Sequence, residues 1–459
     1  MKNSTKIIKN STNLLKTEYI FLFFILCLTL INYLFCYLYV SPNYSPHLID
    51  NENNYILKNI SFGFGQIIED LTNGNSPSLN WFGFELQSSR RLFLPYFLMI
   101  TNDYVTSNFY LIHLIKNLMF GTLLFLTIKK FNQKYNNFFL TLCLFITFYI
   151  PHNTLTNLGT ENEEGILNYL MIILFFVLIS NLNFKSVIIS IILVIIFLLK
   201  GSMFFMTLLL PFLYFFLEKN VKLKYLPIIA VILINFFWGI NSFQKNGFFA
   251  FGAKGSSMNA INISLVTHKY FNTTYPEIKP DIHLGRVTEI VKDNKINNEK
   301  DLVDILIKKS IIYIIENPKE YFIGVLKKIY VLNFSPFKDA QTPKDSEKYL
   351  DNMYKGKLEL NEKINNPIRL SNIPNKIIFN VSLILLLISL INFKKNSKYL
   401  NKLNLYYLST LAFYLAPYMF AWIYPRHATS IYMIAHFYIM LYLIEKKIFS
   451  FNKIFLKTN

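Results

Sequence analysis

The chain has 459 residues, of which 53% are hydrophobic and 17% aromatic, and its formal net charge is +19. A water-soluble domain cannot hide that many Phe, Ile and Leu side chains, because large exposed apolar patches drive association. Nor does the positive charge mark a nucleic-acid binder: the basic residues fall in short clusters beside apolar runs, not in one patch.

Apolar runs fall at 19–40, 108–128, 137–155, 165–182, 186–199, 203–217, 225–240, 376–393, 403–421 and 428–445. Crossing a bilayer takes roughly 17–25 apolar residues per helix, so the chain is expected to be an all-α polytopic membrane protein with about ten spans. The pair 186–199 and 203–217 is short and is read as tilted, kinked or re-entrant. Residues 19–40 lack a small-residue cleavage site and are read as a retained anchor. Cys27, Cys36 and Cys143 lie in or beside apolar runs, so a disulfide framework is not expected.

Lysines give the expected sidedness. With residues 1–18 inside, the inner connections carry Lys129 and Lys130, Lys185, Lys219 to Lys224, and Lys394 to Lys402, and the tail 446–459 adds four more lysines. Every short inner connection is basic, which places both termini in the cytoplasm. An N-terminal transmembrane region 19–240 would then carry an outer loop 41–107, followed by a large outer loop region 241–375 and C-terminal spans over 376–445. Within the first loop, "SFGFGQIIEDLTNG" predicts a surface helix that ends in a turn at Gly74. In 300–334 apolar positions recur at helical spacing but are broken by Lys308, Lys309, Glu316, Lys319 and Glu320. That pattern predicts amphipathic helices on or near the outer interface.

The polar residues that look out of place fall on that outer side. "LIDNENNYILKN" holds Asp50, Glu52 and Tyr55, and "QSSRRLFLPYF" sets Arg90 and Arg91 before an apolar stretch. "TENEEG" holds Glu161, Glu163 and Glu164, "FLLKGSMFF" interrupts two apolar runs with Lys200, and "WIYPRHATSIYM" carries Arg426 and His427. Each also has an ordinary reading. The acids of 50–52 are either a solvated loop or a working site, the arginines either snorkelling anchors or ligands, and the acids of 161–164 favour a helix start in any case. His427 and His436 form no His-x-x-x-His pair, and the residues call for no metal. Taken together, a carboxylate can act as general base, fixed cations can hold a leaving phosphate, and aromatic helices can hold a lipid tail. That mixture points to group transfer from a lipid-linked phosphate.

These segments, in this order, resemble the GT-C superfamily of membrane glycosyltransferases, in particular the bacterial relatives of protein O-mannosyltransferases and aminoarabinose transferases. "IDNENNY" is similar to the family's acidic first-loop motif ending in Tyr, "RRLFLPYF" to its basic-then-Pro element, and "TENEEGILNYL", through Glu161, to its middle-helix Glu. "LLKGSMFF" looks like the cationic turn between two short helices, with Lys200 in place of the more usual Arg. "YIIENPKEYFIGVLKKIYVLNF" and "YPRHATSIYMI" are similar to later family segments.

The resemblance implies a GT-C-like bundle in a bacterial plasma membrane and an inverting sugar transfer from a polyprenyl-phosphate donor to a glycan, lipid or protein on the outer face. It implies Asp50 as the base, with Glu52 as its alternative or helper. Arg90, Arg91, Lys200 and Arg426 become candidates for the donor phosphate, with Tyr55, Glu161 and His427 as further binding residues. Some members use a divalent cation. The acids here are spaced as "DNE" instead of adjacent, which leaves the choice of base open. Two other classes stay in play: an outer-face ligase or polymerase using a lipid-diphosphate donor, and a lipid or sugar transporter.

Overall fold

A computed structural model describes residues 49–60, 64–86, 91–131, 163–219, 221–247, 249–250, 257–267, 280–333, 372–420 and 428–446, together with a few isolated positions such as Cys143 and Asn153. Most of 19–40 and 137–155 lies outside these residues. The expected all-α class holds in outline: the described chain is mostly helical.

In chain order, α1 spans Phe64–Thr72, α2 Phe93–Tyr104, α3 Phe109–Phe131, α4 Glu164–Ile179, α5 Lys185–Leu199, α6 Phe204–Leu217 and α7 Leu226–Asn246. Then come α8 Ser257–Val266, α9 Pro280–Asp293, α10 Glu299–Glu316, α11 Pro318–Asn333, α12 Asn372–Ile391, α13 Lys398–Phe420 and α14 Thr429–Glu445. A hairpin of β1 (Leu79–Trp81) and β2 (Phe84–Leu86) is an addition to the expected all-α plan, pairing Leu79 with Leu86 and Trp81 with Phe84. Its two-residue turn has φ of 60° at Phe82 and 89° at Gly83, the double left-handed geometry that matches strand twist.

Helix α4 is the axis of the bundle. Its sequence is apolar on every side, and every one of its residues is buried among α3, α5, α13 and α14. Among the described residues two helices, α7 and α12, are long and apolar enough to cross a membrane. Both present large apolar side chains outward, Ile229, Leu233 and Phe237 on one, Ile377, Ile384 and Leu387 on the other. Helices α4, α5 and α6 coincide with expected spans but are short: the 14 residues of α6 extend only about 21 Å, against a hydrocarbon core of roughly 30 Å. The span count expected from hydropathy is therefore only partly matched.

Contacts at the helix ends define two poles. At one, Glu218 accepts hydrogen bonds from Lys185 (2.8 Å), Lys402 (2.6 Å) and the Tyr406 hydroxyl (3.0 Å), while Ser186 donates to the Lys222 carbonyl and Lys446 to Asn396. The basic connections thus share one end of the bundle. At the other end, Ser430 donates to Asn168, Ser202 meets Tyr418, and Lys200 meets Glu163 and Glu164.

The acidic loop belongs to this second pole. A Cβ at position 65 would collide with the Lys58 carbonyl, so Gly65 lets α1 seat directly on the loop's end. Asp70 accepts from Ser78 and Gln66 from Asn80, tying α1 to the hairpin. Leu79 and Leu86 then share a core with Phe197 at the end of α5, Trp238 of α7, and buried residues of α8, α9 and α10. The expected helix before Gly74 is α1, and Gly74 has the left-handed φ of 71° that ends it.

Candidate functional site

Lys200 sits where α5 stops. Its backbone is extended (φ −146°, ψ 115°) and a single 3-10 turn, Gly201–Met203, follows before α6 begins. The ammonium pairs with Glu164, which opens α4, and lies 3.8 Å from Glu163. Both acids are largely buried, so the lysine neutralises charge that the interior would otherwise penalise. Tyr418 from the end of α13 places its ring 6.0 Å from the ammonium and its hydroxyl 3.5 Å from Ser202. Four helix ends thus meet on one cation.

Lys200 stands out in the sequence, where Glu161 is the favoured acid nearby. Glu161 lies outside the described residues, and the acids that meet Lys200 are Glu163 and Glu164. Glu164 is 36 residues from Lys200 along the chain, a separation that hides the pairing in the sequence.

Arg91 is buried between two rings, 4.2 Å from the centre of Phe197 and 4.1 Å from that of Trp238. All three of its guanidinium nitrogens are buried without a hydrogen-bond partner. Burial lowers its pKa to about 9, which leaves it charged at neutral pH. The two ring contacts contribute about 2 kcal/mol each at best, whereas removing an ion from water costs several kcal/mol. Arg91→Met is accordingly expected to hold or raise the midpoint of thermal unfolding; a clear drop would show that the guanidinium stabilises the fold. Arg90, Arg426 and His427 lie outside the described residues.

In the acidic loop, Asp50 turns its carboxylate back on its own chain. Oδ1 accepts from the backbone N–H of Glu52 (2.9 Å) and of Asn54 (2.8 Å), and Oδ2 accepts from the Asn54 side chain (3.1 Å). These bonds, led by the Asn54 N–H, lower its pKa below the ordinary 3.8. The loop closure is therefore complete above the ordinary carboxylate value and is lost as pH falls through the lower folded value. Glu52 accepts one longer bond, from the Asn54 side chain at 3.3 Å. Tyr55 is buried, with its ring against Phe109 and His113, and its N–H donates to the Ser107 carbonyl. The loop is thus anchored to the start of α3. Among the described residues, no hydrogen bond or ion pair joins Asp50 or Glu52 to Lys200 or Arg91, and no group of His, Cys, Asp and Glu could hold a metal ion.

Helix α11 is amphipathic in the inverse sense. Lys328 is buried and donates to the Met419 carbonyl (2.9 Å), and Tyr321 donates to the Phe420 carbonyl (2.7 Å), while Phe322, Ile323, Leu326 and Ile329 are exposed. The polar side grips the end of α13 and the apolar side faces outward. This differs from the ordinary surface helix, whose apolar stripe turns inward.

What fold and site define is a helical bundle with an acidic loop, a paired lysine and a buried arginine at one pole. No protein-family model, curated protein or solved structure matches the chain.

Proposed function

We propose that the chain is a multi-pass protein of a bacterial inner membrane, with both termini cytoplasmic, that transfers a sugar from a polyprenyl-phosphate donor to an acceptor on the outer face. The observation that carries this reading is the polarity of the bundle. The acidic loop and Lys200 share one pole, and the basic connections Lys185, Lys222, Lys402 and Lys446 share the other. Basic connections are characteristic of a cytoplasmic side, which supports reading the acid and the cation as facing outside. The outward apolar faces of α7, α11 and α12 support contact with lipid, and α11 suits an interfacial helix.

In the proposed reaction an acceptor hydroxyl attacks the anomeric carbon, the bond to the donor phosphate oxygen breaks, and the lipid phosphate departs with the electron pair. The acceptor proton passes to a carboxylate of the loop. Attack opposite the leaving group inverts the anomeric centre, as in single-displacement glycoside chemistry. Arg91, Arg90 and Arg426 are candidates for holding the phosphate with Lys200, which would exchange Glu164 for the phosphate. Glu52 serves as the base in this reading because it has carboxylate lone pairs to spare, and Asp50 shapes the loop.

The test is transfer by purified protein in nanodiscs, from a panel of radiolabelled polyprenyl-monophosphate sugars to a crude envelope extract. Label passing from lipid to acceptor is expected. Consumption of diphosphate-linked glycan alone would favour a ligase, and lipid flipping without acceptor a transporter.

A further inference from the structure

One face of α3 carries a polar strip that packing does not explain. His113 and Asn117 lie four residues apart, hence one above the other on the helix, and both are almost fully buried. Neither ring nitrogen of His113 has a hydrogen-bond partner, and the Asn117 amide nitrogen has none either. Asn117 does use its oxygen, accepting from the Tyr169 hydroxyl of α4 at 3.3 Å. Buried polar groups in folded proteins are nearly always paired, so two orphans within one turn mark a place where polar partners are absent.

The surroundings define what would fit. Phe109 stands 4.7 Å from the His113 ring and Tyr55 5.9 Å from it, while Phe148 and Phe120 flank Tyr169. A neutral imidazole offers one donor and one acceptor, and the amide nitrogen offers two donors. A ring with adjacent hydroxyls, each both donor and acceptor, satisfies that set, and aromatic walls suit its C–H faces. Tyr55 pairs with Ile49 at the base of the acidic loop, so the His113 end of the strip adjoins the loop that carries Asp50 and Glu52.

We propose that His113 and Asn117 form a sugar pocket, seating ring hydroxyls of the sugar on which the acidic loop acts, with Tyr55 as its cover. The identity of the ligand rests on the transferase reading above; the pocket itself rests on the orphaned groups. The ring nitrogens are closed to solvent, so entry requires the loop around Tyr55 to lift from α3.

The experiment is saturation-transfer difference NMR on full-length protein in nanodiscs free of glycoside detergent. The probes are millimolar glucose, galactose, mannose, N-acetylglucosamine and arabinose. Wild type is expected to give signal with at least one sugar, and His113→Phe and Asn117→Leu to reduce it at least tenfold. His113→Gln, which keeps a donor and an acceptor, should retain part of it. His113→Phe should also hold or raise the melting temperature, since it removes an unpaired polar group and keeps the ring; a merely structural histidine would give the opposite shift.

No signal with any sugar, signal unchanged in both variants, a lowered melting temperature in His113→Phe, or displacement by inorganic phosphate instead of by a second sugar would each overturn the pocket. If sugar binding is lost in the variants while wild type fails to transfer from any lipid donor, the pocket stands and the transferase reading falls. If wild type transfers sugar while the variants keep both the signal and the donor KM, the transferase reading stands and the pocket falls.

Discussion

Lys200→Met is expected to damage both folding and turnover, and the two effects can be separated. Removing the ammonium takes from buried Glu164 the ion pair it makes with Lys200, and breaking a buried pair typically costs about 3–5 kcal/mol. Thermal unfolding in detergent should show this as a large fall in the midpoint. Replacing both partners is a different matter, since a buried pair exchanged for neutral groups is often tolerated. The double variant Lys200→Met, Glu164→Gln is therefore expected to recover most of the lost stability, with Glu163, 3.8 Å away, accounting for the remainder. Transfer activity should not return. In the proposed transfer Lys200 is a fixed cation aimed at the leaving phosphate, worth about 100–1000-fold in rate, and the double variant still lacks it. Recovery of activity along with stability would make Lys200 a structural counter-ion only. Lys200→Arg, by contrast, keeps the charge and should keep the fold.

Part of this site is legible in the sequence. Lys200 is visible because a charge between two apolar runs is costly and seldom incidental. The helix break there is visible for the same reason, and so is the amphipathic stretch that folds as α10 and α11, separated at Asn317. The hairpin is not: "LNWFGFEL" carries a Phe-Gly turn between two short aromatic runs, but three-residue strands give too little alternation to stand out. Burial is the harder quantity. Arg91 reads as an interfacial anchor until Phe197 and Trp238, more than a hundred residues away, close over both faces of its guanidinium. His113 and Asn117 look like two polar residues in an apolar run, and only the packing of α3 against α4 and the acidic loop shows that the imidazole nitrogens and the Asn117 amide nitrogen are unpaired. Span length is hard to read for a physical reason as well. Hydropathy reports that α4, α5 and α6 avoid water, but burial against neighbouring helices satisfies that demand as fully as lipid does.

The division of labour in the acidic loop gives the second large effect. Asp50 accepts three hydrogen bonds from within its own loop, two of them from backbone N–H groups. An asparagine at that position presents an oxygen to the same two donors, because Asn and Asp cap such turns alike. Asp50→Asn is therefore expected to retain the loop and to keep transfer within about tenfold of wild type, since the two backbone bonds are weakened but kept and only the exposed bond from the Asn54 side chain is lost. Glu52→Gln removes a proton acceptor without disturbing that turn. In the proposed transfer Glu52 is the general base, which contributes about 100–10,000-fold, so this variant should lose activity on that scale at unchanged expression and melting temperature. Asp50→Ala, which deletes the cap, should lose activity together with loop order, seen as faster amide exchange at Glu52 and Asn54. The reverse pattern, with Asp50→Asn inactive and Glu52→Gln active, would assign the base to Asp50 and make its hydrogen bonds the means of aiming it.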